Sequence, residues 1–274
     1  VKSGYGLDTA TELKMLRVIE ELDRTHACTL VPTFLGAHTV APEYRADPAG
    51  YVALVMDEMI PSAAAWYAAS DFRRQGRPFF IDAFCEEHAF DVDQSRRILQ
   101  AGLAAGMRAK LHVDQFNALG GVAMAVELGA ISVDHLDVSG PAEIASLAPA
   151  ATMAIPLPAA NFNLGHTAFA PARALADAGV ALATDLNPGS APCYGMPTVM
   201  AIACRYLGLL PAEALLASTI NAAHAIGLAD EVGSLEVGKA ADLLLLKDAD
   251  YRHMVYFFGG NPVAAVIKRG VVIA

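Results

Sequence analysis

The chain has 274 residues, of which 55% are hydrophobic and 18% charged, with a formal net charge of −10. That is too apolar for a disordered tail and long enough for a large core, while an acidic balance without a basic stripe argues against nucleic acid as a partner. Cys28, Cys85, Cys193 and Cys204 form no C-x-x-C pair, which speaks against a disulfide scaffold or a cysteine zinc site and suits a reducing cytoplasm. No apolar run reaches the ~18 residues of a membrane span, and no basic start precedes an apolar stretch, so neither a membrane nor a leader is expected.

The elements alternate along the chain. Apolar spacing predicts a helix over 9–24, a β-like run over 28–35 ending in Gly36-Ala37-His38, and a helix over 50–72. A buried strand over 78–85 and a helix over 93–105 follow, with Gly106 as its stop. The beat repeats as strand 108–113, helix 121–128, strand 131–135, helix 142–147, strand 152–157, helix 171–178 and strand 180–185, then helices near 196–207 and 211–225. Short apolar strands separated by helices predict a parallel sheet covered by helices. Beyond 228, residues 233–246 read as turn, strand, turn, strand, and 264–272 as a further β run, giving a small appended β-sheet.

Polar residues fall at the predicted strand ends: Tyr5, His38, Glu86, His112, His135 and Asp185. Strand ends converge on one mouth in a (β/α)8 barrel, whereas a doubly wound nucleotide-binding sheet should show a glycine-rich phosphate loop, and no G-x-G-x-x-G follows any strand here. The expected fold is therefore α/β, a (β/α)8 TIM-type barrel. Six strands are expected between 28 and 185, residues 1–5 offer a seventh, and one strand is missing at the N-terminal side.

Imidazole and carboxylate groups at His112, His135 and Asp185 suit one divalent metal, Zn or Fe, which would make hydroxide available at neutral pH. A single histidine near a strand end is more often hydrogen-bonded or solvated than a ligand, and His26, His88, His166, His224 and His253 are read that way. Asn187, Gly189 and Ser190 lie in the tight turn after Asp185, facing the mouth or serving the turn itself. His38 follows the small Gly36-Ala37, and Tyr5 stands between two glycines, where it is either a ligand contact or a packed aromatic.

Several segments together resemble the imidazolonepropionase family of the amidohydrolase superfamily. They are VKSGYGL (1–7), FLGAH (34–38), QSRR (94–97), HVDQ (112–115), Gly120-Gly121, SVDHL (132–136), ATDLNPGS (183–190), residues 221–223 and GSLEVGKAAD (233–242). The last marks the superfamily, and KSGYG, FLGAH and TDLNPGS mark the family. The resemblance implies a metal-dependent hydrolase barrel over 1–228 and, over 229–274, part of a small β-sandwich built from both chain ends. It implies His112 and Asp185 as metal ligands, His135 and Asp185 as catalytic residues, and Tyr5, His38, Gln115, Asn187, Gly189 and Ser190 as substrate contacts. Gln115 stands where family members can carry Glu, so proton transfer and hydrogen bonding both stay open for it. The implied reaction is hydrolysis of 4-imidazolone-5-propanoate to N-formimidoyl-L-glutamate in histidine degradation; cysteine usage suits a cytoplasmic enzyme, and the apolar composition permits a homodimer.

The family draws two further ligands from a His-x-His and grips the substrate carboxylate with an arginine. No His-x-His occurs here, so the sequence is read as roughly the C-terminal two-thirds of such an enzyme. The alternatives are another amidohydrolase-superfamily deaminase or cyclic amidase, and an inactive, metal-poor fragment.

Overall fold

The computed structural model describes residues 1–274, which form two compact units, 1–133 and 134–274.

In the first unit Asp8 opens the helix Thr9–Thr25, its side chain accepting from the Thr11 amide, and the helix buries Glu12, Leu16 and Ile19. The strands β1 (Thr33–Ala37), β2 (Phe80–Cys85) and β3 (Arg108–Val113) pair in parallel, with β1 buried throughout and Phe84 opposite His112. Residues 1–5 make a single bridge rather than a seventh strand: Lys2 lies opposite Thr33, the Ser3 amide donating to Thr33 at 3.0 Å. Gly4 at φ +114° then turns the chain away. The helix expected over 50–72 is broken into Pro48–Leu54, a π-helical stretch Val55–Met59, Ile60–Ala69 and Asp71–Arg74. Pro61 has no N–H for the ladder, which accounts for the widened turn before it, and Ser70 caps the last piece by accepting from Arg73.

The helix Val92–Ala104 starts at a capping box of Asp91 and Gln94 and lies close on β2. A Cβ at Gly102 would come within 2.5 Å of the Ile81 side chain, so only glycine lets helix and strand approach. Gly102→Ala is expected to destabilise the chain by about 1–3 kcal/mol despite alanine's higher helix propensity, because overpacking outweighs the ~1 kcal/mol propensity gain. Urea unfolding checks this, and an equal or higher midpoint would contradict it.

Strand β4 (Ser132–His135) spans the division. Hydrogen-bonded neighbours run β1-β2-β3-β4 up to it and β4-β5 after it, with β5 at Met153–Ile155. The strand expected over 180–185 does not form. Val180 makes one bridge to Ala154, and the Leu182 amide donates to the helix carbonyl of Ala217 at 2.9 Å instead of joining a ladder. A helix, Pro158–Leu164, follows β5 where none was expected, with Pro158 at its first turn. The helix expected over 211–225 breaks into Pro211–Ala217 and Ile220–Ala225, where the Ser218 and Thr219 hydroxyls donate back to Ala214 and Leu215.

At the end of the chain β6 (Leu243–Leu246), β7 (Val263–Lys268) and β8 (Val271–Val272) form an antiparallel three-stranded sheet. Arg269 and Gly270 both take positive φ in the two-residue β7–β8 turn, as such hairpins require. Of the strands expected over 233–246 only β6 forms, residues 233–242 being irregular with a turn at 237–238, and a short helix His253–Tyr256 precedes β7. No helix is long and apolar enough to cross a membrane.

Candidate functional site

In the first unit, β2 and β3 set Asp82 beside His112. Both are buried, at 0% and 7% exposure. Asp82 Oδ1 lies 3.0 Å from His112 Nδ1, and its other oxygen, Oδ2, accepts from the Lys2 ammonium at 2.8 Å. That ammonium is also 3.5 Å from His112 Nε2. A carboxylate only accepts, so Nδ1 carries the ring proton and Nε2 offers its lone pair toward the cation. Burial works against an ionised Asp82, but its electrostatic and hydrogen-bonding interactions with His112 and Lys2 outweigh it and hold the carboxyl well below the usual carboxylate range.

Tyr5 and His38 meet on the same unit, ring centroids 5.2 Å apart and edge-on, with Tyr5 57% exposed. His38 Nδ1 lies 3.0 Å from the Gly4 carbonyl oxygen. Burial lowers the His38 pKa, against the opposing pull of that hydrogen bond. Gln115 is buried in the loop after β3, which Glu86 pins: its Oε2 accepts from the amides of Phe116 and Asn117 at 2.8 and 3.1 Å, and its Oε1 from Asn117 Nδ2 at 2.9 Å. Glu86, expected among the strand-end groups at a mouth, thus serves as a loop clamp.

In the second unit His135 ends β4, with Nδ1 3.8 Å from Asp137 Oδ2 and both side chains buried. Burial, reinforced by the Asp185 charge, pushes the Asp137 carboxyl up to about 7, against a hydrogen bond from Asn161. Asp185 is half-buried. The turn after it is organised by Asn187, whose Oδ1 accepts from the amides of Gly189 and Ser190 at 2.9 and 2.7 Å, while its Nδ2 donates to the Asp185 carbonyl at 2.7 Å. Asn187, Gly189 and Ser190 are therefore drawn together around one side chain.

Asp114, His135, Leu136 and Asp185 all take positive φ without being glycine. Each costs on the order of 1–2 kcal/mol and persists only where the surroundings impose it, a pattern typical of functional sites. Asp82, Lys2, Glu12 and Asp137 were not singled out in the sequence. A lone carboxylate inside the apolar run PFFIDAFC was the available signal for Asp82.

The family model described as "Amidohydrolase family" matches residues 86–273. An imidazolonepropionase of Chloroflexus aggregans is 54% identical over all of this chain, and one of Herpetosiphon aurantiacus 55%. The chain spans 64% of the length of each of these curated relatives. Among solved structures, a triazine hydrolase variant aligns with a TM-score of 0.71 at 17% identity, covering 100% of this chain and 66% of that one. A Xanthomonas campestris adenosine deaminase with bound zinc aligns at 0.58 and 21%, covering 86% and 71%. These likenesses show a TIM-barrel-type fold, which accords with the parallel strands β1 to β5. The chain belongs to the amidohydrolase family.

Proposed function

We propose that the chain serves metal-dependent hydrolysis of the cyclic amide 4-imidazolone-5-propanoate to N-formimidoyl-L-glutamate, on a (β/α)8 barrel to which residues 229–274 add a β-sandwich portion. Identity of 54% to an imidazolonepropionase along the whole chain supports the substrate. The observation that carries the chemistry is His112, held by Asp82 through Nδ1 with Nε2 turned to a cation. The Lys2 ammonium beside Asp82 and His112 supports this reading, because donors that draw in one cation are chemically suited to another.

In this reading His112 and Asp185 are ligands of one divalent ion, Zn or Fe, and Asp82 orients His112, as carboxylates behind metal-bound imidazoles do. When bound, the ion supplies a Lewis acid and eases deprotonation of water. Asp185 accepts the proton of the attacking water and passes it to the ring nitrogen as the carbonyl carbon–nitrogen bond breaks. His135 donates to the carbonyl oxygen as negative charge develops there. Tyr5 and His38 orient the ring, and Gln115, Asn187, Gly189 and Ser190 bind the rest of the substrate.

Turnover of 4-imidazolone-5-propanoate, followed by ultraviolet absorbance beside guanine and cytosine, tests the assignment. Turnover of the imidazolone alone is expected. Hydrolysis of guanine or cytosine instead would transfer the chain to the deaminases, and no turnover of any would sustain the inactive reading. Stripping with a strong chelator should lower the rate at least about 100-fold, with recovery on adding zinc or iron.

A further inference from the structure

Glu12 is a carboxylate that the proposed reaction does not use, yet it is only 1% exposed. It lies in the first turn of the Thr9–Thr25 helix, where the helix end favours negative charge. Its two oxygens accept from the Gly4 amide at 3.2 and 2.9 Å, and Oε1 accepts from the amides of Gly6 and Leu7 at 2.7 and 3.1 Å. Backbone amides turned toward one point form an anion-binding nest, and here the chain fills it with its own side chain through charge-assisted bonds. The loop has little freedom to take another shape. Gly4 sits at φ +114°, Leu7 at +59°, and a Cβ on Gly6 would fall 2.6 Å from the Glu12 nitrogen.

Gly4 is thereby held at both ends, its N–H by Glu12 and its carbonyl oxygen by His38 Nδ1 at 3.0 Å. A carbonyl only accepts, so the His38 proton sits on Nδ1 and the neutral ring presents Nε2 as an acceptor. Tyr5, between the two clamped glycines, packs edge-on against the same ring.

We propose that Glu12 is a positioning residue: through the Gly4–Leu7 loop it sets the His38 tautomer and the Tyr5 orientation, so that the site selects a heterocycle offering a ring N–H to His38 Nε2. This rests on the cyclic-amide reading for the identity of the ligand, though not for the tautomer. Sequence periodicity hides the role, because Glu12 reads as one of the charges between the apolar positions of a helix.

The test uses the full chain with Glu12→Gln, which keeps the volume but replaces one acceptor oxygen by a donor, and Glu12→Asp, which keeps the charge but shortens the reach. Long-range proton–nitrogen NMR spectra of His38 need no substrate. The parent should show the Nδ1–H form, and both variants a mixture of tautomers. With 4-imidazolone-5-propanoate, KM should rise at least ~10-fold while kcat changes less than ~3-fold, the signature of lost ligand binding. A ring-N-methylated analogue should lose its disadvantage in Glu12→Gln. A folded variant with the parent's His38 spectrum and KM would overturn the proposal. If both variants unfold, hydrogen exchange in the parent decides: slow amides at Gly4, Gly6 and Leu7 uphold the clamp and fast ones refute it. If the parent turns over no imidazolone, the functional reading fails while the spectra still judge Glu12.

Discussion

Replacing Asp185 with asparagine is expected to lower turnover at least about 1,000-fold and to leave the melting temperature within a few degrees of the parent. The effect on rate is large because one side chain has two duties in the proposed reaction, ligation and proton transfer, and the amide performs the second not at all. The effect on stability is small for local reasons. Asparagine matches the shape, and it tolerates the positive φ of +51° at this position better than alanine does. The turn that follows is held by the backbone carbonyl of residue 185 and by Asn187, neither of which the substitution changes. Steady-state kinetics and circular-dichroism melting check both halves. A variant retaining a tenth or more of the parent rate would remove Asp185 from the mechanism.

Asp82→Ala carries the largest expected cost in stability, about 3 kcal/mol, the low end of the range for breaking a buried ion pair. The low end applies because the partner Lys2 side chain keeps 29% exposure and regains part of its hydration, whereas Asp82 itself has none. His112 loses the acceptor that fixes its ring, so retention of zinc or iron should weaken about 10–100-fold as well. Asp82→Asn keeps an oxygen for Nδ1–H and should cost less in stability. The pH dependence has a definite sign. The folded carboxyl is held below its ordinary value, so its contribution is present above the unfolded pKa near ~3.9 and disappears as pH falls through the folded one. The stability gap between parent and Asp82→Asn should therefore be wide at pH 7 and shrink below about pH 4. Urea unfolding of metal-free protein at the two pH values measures it, and an equal gap at both would show that the charge on Asp82 does not stabilise the fold.

Local pattern determined a good part of this protein. The strand β3 occupies the predicted residues, 108–113, and the helix Thr9–Thr25 stands where its apolar spacing required. Strand-end and turn positions offered most of the candidate residues, and motif resemblance added their roles and the family, since HVDQ, SVDHL and ATDLNPGS are written in consecutive letters. Periodicity also overreached. It read 180–185 as a strand because 180–183 are apolar, while strand formation needs a partner ladder, and the Leu182 amide found a helix carbonyl instead. It read 50–72 as one helix because apolar spacing does not register a missing N–H at Pro61. What only the tertiary structure decided is which polar groups meet. Asp82 and His112 are 30 residues apart and are brought together by the parallel register of β2 and β3, while Lys2, 80 residues from Asp82, arrives through its bridge to Thr33 of β1. The Gly4–Leu7 loop folds onto Glu12 for a comparable reason: spacing tells which face of a helix is apolar, but only chain closure tells which buried amides need an acceptor on that face.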